Sequence, residues 1–242
     1  MCYFYQYIYF LAFITYYLSM ERLIHINSLR QKGLNNMAVS RLVKKEKLGN
    51  FGYGFYVDNP RVLHLENDNT MQEINRILDE FPVPPKRVIF SSASLNFCIN
   101  QLISNTTYIV EIEKGYAKTV FEILKNRFNN IVLLKPNNEE IVNYWKPNAI
   151  YVTDLFSRSP NRNDGTMPIE KLIFDLMFDK NIHYLYSKQD IDMAIEMLCN
   201  NYVINYKTLF SYAERKNKEE KLHKRIEGYI PQEIKEVMGM SL

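Results

Sequence analysis

Two clusters of residues have types and spacings that could do chemistry. The first is NMAVSRLVKKEK, residues 36–47. On a helix advancing about 100° per residue, Leu34, Ala38, Val39, Leu42 and Val43 take one half of the wheel. Asn36, Met37, Ser40, Arg41, Lys44 and Lys47 take the other half. Amide and guanidinium groups read adenine and guanine edges bidentately in the major groove, and Lys44, Lys45 and Lys47 suit phosphates. The chemistry would be recognition of double-stranded DNA. A solvated helix whose terminal lysines complement the helix dipole has the same pattern. The second cluster is VEIEKGY, residues 110–116. Glu111 and Glu113, two apart on a strand, share one face, and Lys114 follows. Such a strand end could hold Mg²⁺ in a nuclease of the restriction-endonuclease type. That site also needs an upstream acid, and residues 86–110 contain no Asp or Glu. A strand with one charged face leading into a helix is the plainer reading.

The elements that must position these residues can be traced along the chain. HINSLRQKG reads as a short helix stopped at Gly33, a left-handed C-terminal position. A second helix follows over residues 34–47. Gly49, Gly52 and Gly54 then break the chain, and FGYGFYV alternates as a small hairpin over residues 51–57. Helix, glycine turn, cationic helix and hairpin, in that order, predict a winged helix-turn-helix. Asn36, Met37, Ser40 and Arg41 would face bases, Lys44, Lys45 and Lys47 would face phosphates, and Tyr53 sits on the wing. GNFGYG is too short for a nucleotide loop and follows no parallel strand. No P-loop, GxSxG, HExxH or dinucleotide fingerprint occurs.

After a linker at 58–69 and an amphipathic helix at 70–81, four strand-like runs (RVIFSS, TYIVEIE, NIVLLK, AIYVTDL) alternate with helical stretches at 92–103, 116–128 and 138–145. That alternation predicts a mixed sheet with helices packed on it. Beyond Pro168 the pattern is helical almost throughout, at 169–180, 188–202, 206–216 and 218–228. The expected class is α/β (α+β): a winged domain over residues 1–60, a linker helix within 61–85, and an α/β domain with a helical C-terminal half over 86–242. On the helix from Ile169, Asp175 lies among apolar neighbours and reads as a buried capping or salt-bridging carboxylate. The mixed-sign stretch ERKNKEEKLHKR, residues 214–225, reads as a solvated helix.

The net charge of +3 excludes a general polycation, so DNA contact must come from a local patch. Cys2, Cys98 and Cys199 are scattered away from the four histidines. No disulfide framework, zinc site or cofactor is expected, and a reducing cytoplasm fits. Residues 1–19 carry no charge but lack a signal peptide's basic start and cleavage site. They could supply the first helix of the winged domain near 8–20, cross a membrane, or precede a true start at Met20.

INSLRQKGLNNMAVSRLVKKEKLGNFGYGFYV resembles the winged-helix half of AbiEi-like proteins, which pair a short helix ending in Gly with a recognition helix and wing. Glu46 stands where that pattern has Gly, and the wing lacks the pattern's basic residue around Phe51–Tyr53. TMPIEKLIFDLMFDK, residues 166–180, resembles the family's downstream helix, and YKTLFSYAERKNKEEKLHKRI, residues 206–226, its closing helical pair. The resemblance covers about 20–228. It implies a non-enzymatic antitoxin that represses its own operon by binding double-stranded operator DNA. It also implies a nucleotidyltransferase-type toxin, encoded by the partner gene, which the antitoxin counteracts.

Overall fold

The computed structural model of the 242-residue chain describes residues 23–103, 105–129, 131–143 and 149–239. The aromatic stretch before residue 23 lies outside the described residues. So do the expected helix near 8–20, the alternative span and the alternative start at Met20. Among the described residues no helix is long and apolar enough to cross a membrane. The fold is α/β (α+β), and the chain divides into two compact units. The first takes Met1–Val62, Cys199–Lys207 and Tyr229–Leu242; the second takes Leu63–Leu198 and Thr208–Gly228.

In the first unit, β1 (Ile24–His25) leads into α1 (Ile26–Gln31), then α2 (Asn36–Lys44), β2 (Leu48–Gly52) and β3 (Phe55–Asp58). The three strands form an antiparallel sheet in the order β1-β3-β2. Leu29, Val39 and Leu48 are buried at its centre, with Ile24, Ile26, Leu34, Leu42, Val43 and Tyr56 packed around them. One apolar side chain from each helix and one from the hairpin thus close the small core. The cationic half of α2 is left facing solvent.

Both helices end in the same backbone device. After α1, the Gly33 N–H donates to the Arg30 carbonyl (2.9 Å) and the Leu34 N–H to the Leu29 carbonyl (3.1 Å), with Gly33 at φ +81°. After α2, the Glu46 N–H donates to the Val43 carbonyl (3.0 Å) and the Lys47 N–H to the Leu42 carbonyl (3.0 Å), with Glu46 at φ +55°. This paired bonding satisfies the last carbonyls of a helix and needs a left-handed residue, which glycine adopts without strain. The second cap uses glutamate and still forms. The helix is therefore shorter than the apolar pattern predicts: Asn35 caps its start, accepting from the Ala38 N–H at 2.9 Å, and Lys45–Lys47 belong to the cap. Glu46→Gly is expected to raise the thermal stability of this unit by about 0.5–1 kcal/mol, since it relieves left-handed strain at some cost in unfolded-chain entropy. A melting temperature unchanged or lowered would show that what the Glu46 side chain contributes outweighs the relief of strain.

The second unit is built on a four-stranded sheet in the order β4-β5-β7-β6, with β4 (Arg87–Ser91), β5 (Tyr108–Ile112), β6 (Val132–Leu134) and β7 (Ile150–Asp154). β4 runs antiparallel to β5, whereas β5, β7 and β6 are parallel. The parallel pairings require crossovers, which α4 (Ala117–Arg127) and α5 (Asn138–Asn143) supply. α3 (Asn69–Asp79) and α4 bury Met71, Ile74, Leu78, Val120 and Leu124 with the sheet residues Ile89, Val110, Ile150 and Val152. The helical stretch expected at 92–103 reduces to one 3-10 turn, Ser92–Leu95. The Asn96 side chain bonds the Ile103 N–H (2.8 Å) and carbonyl (3.2 Å), and the Ser92 hydroxyl accepts from the Thr107 N–H (2.9 Å). These short polar side chains offer the backbone partners that compete with helix. The chain continues with α6 (Ile169–Phe178), α7 (Lys180–His183), α8 (Lys188–Asn201), α9 (Tyr206–Arg215), α10 (Glu219–Ile226) and α11 (Gln232–Val237).

Candidate nucleic-acid interface

The cap at Asn35 and the buried Val39 fix the rotation of α2 about its axis. Asn36, Met37, Ser40, Arg41 and Lys44 are exposed on the helix, and Lys45 and Lys47 are exposed on its cap. Spacings of three and four place Met37, Ser40, Arg41 and Lys44 along one stripe. The Arg41 guanidinium rests on the Met37 sulfur at 3.4 Å, which holds its fork along the stripe. Arg30, at the end of α1, donates to the Asn36 Oδ1 at 3.2 Å. That oxygen has a second lone pair, and the amide N–H groups are separate donors, so the contact does not use up the group's capacity to pair with a base edge. Among the described residues, Lys44, Lys45 and Lys47 are in no ion pair. Arg41, Lys44, Lys45 and Lys47 against Glu46 leave a net +3 over residues 36–47.

Arg30 is a cation that sequence reasoning left out. It precedes the turn and belongs to no periodic stripe of α2, so only the tertiary turn brings it beside Asn36. The hairpin turns at Tyr53 (φ +51°) and Gly54 (φ +87°), the pair of positive values found in the primed turns that suit twisted hairpins. Tyr53 is half-buried at the tip. On β2, a Cβ at Gly49 would meet Pro60 Cβ at 2.7 Å and Val203 Cγ2 at 2.8 Å, so glycine is there for its missing side chain.

The carboxylates of the second cluster are placed apart. Glu111, on β5, is buried and its Oε1 pairs with the Lys171 ammonium at 2.8 Å. Glu113 is exposed, and its Oε2 accepts from the Lys86 backbone N–H at 3.1 Å. Lys114 is exposed on the turn into α4. Among the described residues no group of three or more His, Cys, Asp or Glu side chains is placed to hold a metal ion.

Lys171, only 1% exposed, also donates to the Asp175 Oδ2 one helical turn on (2.6 Å) and to the Tyr212 hydroxyl (3.3 Å). Burial by itself would lower its pKa, but Asp175 and Glu111 outweigh that and hold the ammonium well above its ordinary value. Burial pushes the Asp175 carboxyl up to about 7, against the opposing pull of Lys171. Asp175 is therefore the buried salt-bridging carboxylate that its apolar neighbours implied. The i, i+4 spacing of Lys171 and Asp175 was a readable signal for the pair; the third member, from β5, was not.

Residues 35–232 match a family described as a family of unknown function (DUF6577). The chain belongs to that family. No curated protein matches it. The DUF6577 match begins at Asn35, the N-cap of α2, and so takes in the exposed stripe, the hairpin and the three members of the buried ionic cluster.

Proposed function

We propose that this chain is a DNA-binding regulator that reads a duplex operator through α2. The observation that carries the reading is the orientation of that helix. Its apolar side is spent on a small core with α1 and the hairpin, while Asn36, Met37, Ser40, Arg41 and Lys44 face solvent together with Lys45 and Lys47. Amide and guanidinium groups lie at the start and middle of the stripe, and ammonium groups lie at its end. That arrangement suits bases at the helix N-terminus and phosphates beyond it. Tyr53 lies against the flanking backbone from the wing. By its resemblance to AbiEi-like proteins, the regulator acts on its own operon in the cytoplasm, and its second unit counteracts a nucleotidyltransferase-type toxin encoded by an adjacent gene.

The test is fluorescence anisotropy with a labelled duplex taken from upstream of the chain's own reading frame, beside a shuffled duplex of equal composition. Arg41→Ala is expected to narrow the preference for the first duplex about tenfold or more. Lys44→Ala is expected to weaken both duplexes alike and to reduce the salt slope by about 1. If both variants bind like the parent chain, α2 is not the reading element.

A further inference from the structure

The wing, residues 48–58, contains no Lys, Arg or His and ends in Asp58. A distant stretch of chain within the same unit supplies what it lacks. A Cβ at Gly52 would stand 2.8 Å from both the backbone N and the Cβ of Lys207, and 2.9 Å from Asn205 Oδ1. At Gly49 the corresponding neighbour is Val203, whose N–H donates to the Arg61 carbonyl at 3.0 Å. Residues 203–207 therefore follow β2 toward the hairpin turn. The Phe51 ring lies nearly parallel to that of Tyr206, centroids 6.3 Å apart. Tyr206 is buried, and its hydroxyl donates to the Tyr229 carbonyl at 2.9 Å. The backbone of Lys207 is thus held against the wing while its side chain is exposed. Among the described residues Lys207 is in no ion pair. It is also the second residue of α9, where the positive end of the helix dipole disfavours a cation. Local helix stability does not account for a lysine there.

We infer that Lys207 is the phosphate-binding cation of the wing, contacting the backbone of the duplex that α2 enters. The lysine is set by close backbone packing on Gly52, so its stem starts from a fixed point and only its outer methylenes need ordering on DNA. A contact of this kind adds affinity without sequence preference and releases about one counterion. The inference rests on the DNA-binding reading above, and the following experiment separates the two.

The same two duplexes are titrated over a range of salt concentrations with the parent chain, Lys44→Ala, Lys207→Ala, Lys207→Arg and Lys118→Ala. Lys118 is an exposed lysine of the second unit that matches the loss of charge. Lys207→Ala is expected to weaken both duplexes about three- to tenfold and to lower the log K against log salt slope by about 1. Lys207→Arg should retain most of the binding, and Lys118→Ala should behave as the parent. A Lys207→Ala slope equal to that of the parent, beside a lowered slope for Lys44→Ala, would overturn the inference and leave α2 as the reading element. Failure of the parent chain to bind either duplex would overturn both.

Discussion

At pH 8, where Asp175 is ionised, Lys171→Met is expected to destabilise the second unit by about 3–5 kcal/mol, read as a large drop in its urea midpoint. The Lys171 ammonium is paired with both the Glu111 and the Asp175 carboxylates, with Nζ–O distances of 2.8 and 2.6 Å. Removing it leaves two buried acids facing each other with their counter-charge gone, and the cost is dominated by that uncompensated burial, not by the lost contact itself. The companion result follows from the same physics. In Lys171→Met combined with Glu111→Gln and Asp175→Asn none of the three paired charges remains, so most of the lost stability should return. A triple variant as unstable as Lys171→Met would show that packing around the lysine stem, and not charge, sets the cost.

Stability should also fall as pH rises from about 5 to 8, and the fall should be specific to Asp175. The folded-state pKa is raised from 3.8 to about 7. Between those values the folded chain holds a proton that the unfolded chain has released. The contribution is full below the unfolded value and is lost as pH rises through the folded one, with a slope of about 1.4 kcal/mol per pH unit. Lys171, raised well above its ordinary value, adds stability that is lost only in the alkaline range above that window. Asp175→Asn keeps a carbonyl oxygen for the ammonium and removes the proton. Urea midpoints of the parent and Asp175→Asn at pH 5 and 8 isolate the effect, because groups common to both cancel. Equal pH slopes in the two chains would mean that Asp175 stays ionised in the fold.

Much of the fold was legible because it is local. Gly33 announced the end of α1, the apolar spacing of Val39, Leu42 and Val43 gave the buried side of α2, and the four β-rich runs became β4 to β7. Several features were hidden for a physical reason. The end of α2 uses Glu46 in a left-handed conformation where glycine would have marked the stop. Residues 96–103 carry acceptable helix formers, yet Asn96 bonds across to Ile103. At the candidate interface, the exposed stripe followed from helical geometry, but Arg30 reached Asn36 only through the turn. Gly49 and Gly52 looked like turn formers. At both, a side chain would collide with Val203 or Lys207, which only the tertiary fold brings there, and at Gly52 the left-handed backbone (φ +87°) calls for glycine as well. Glu111 and Lys171 are sixty positions apart, so neither pattern nor spacing could join them.

The three-part make-up of the first unit also sets an order of assembly. Residues 23–62 emerge early in synthesis, but the stretch that lies along β2 follows some 140 residues later, and Tyr229, which Tyr206 grips, later still. The hairpin over residues 48–58 is thus lined only after all four strands of the second unit's sheet have been made. A nascent or prematurely terminated polypeptide ending before residue 199 would carry α2 without the strip that lines its hairpin.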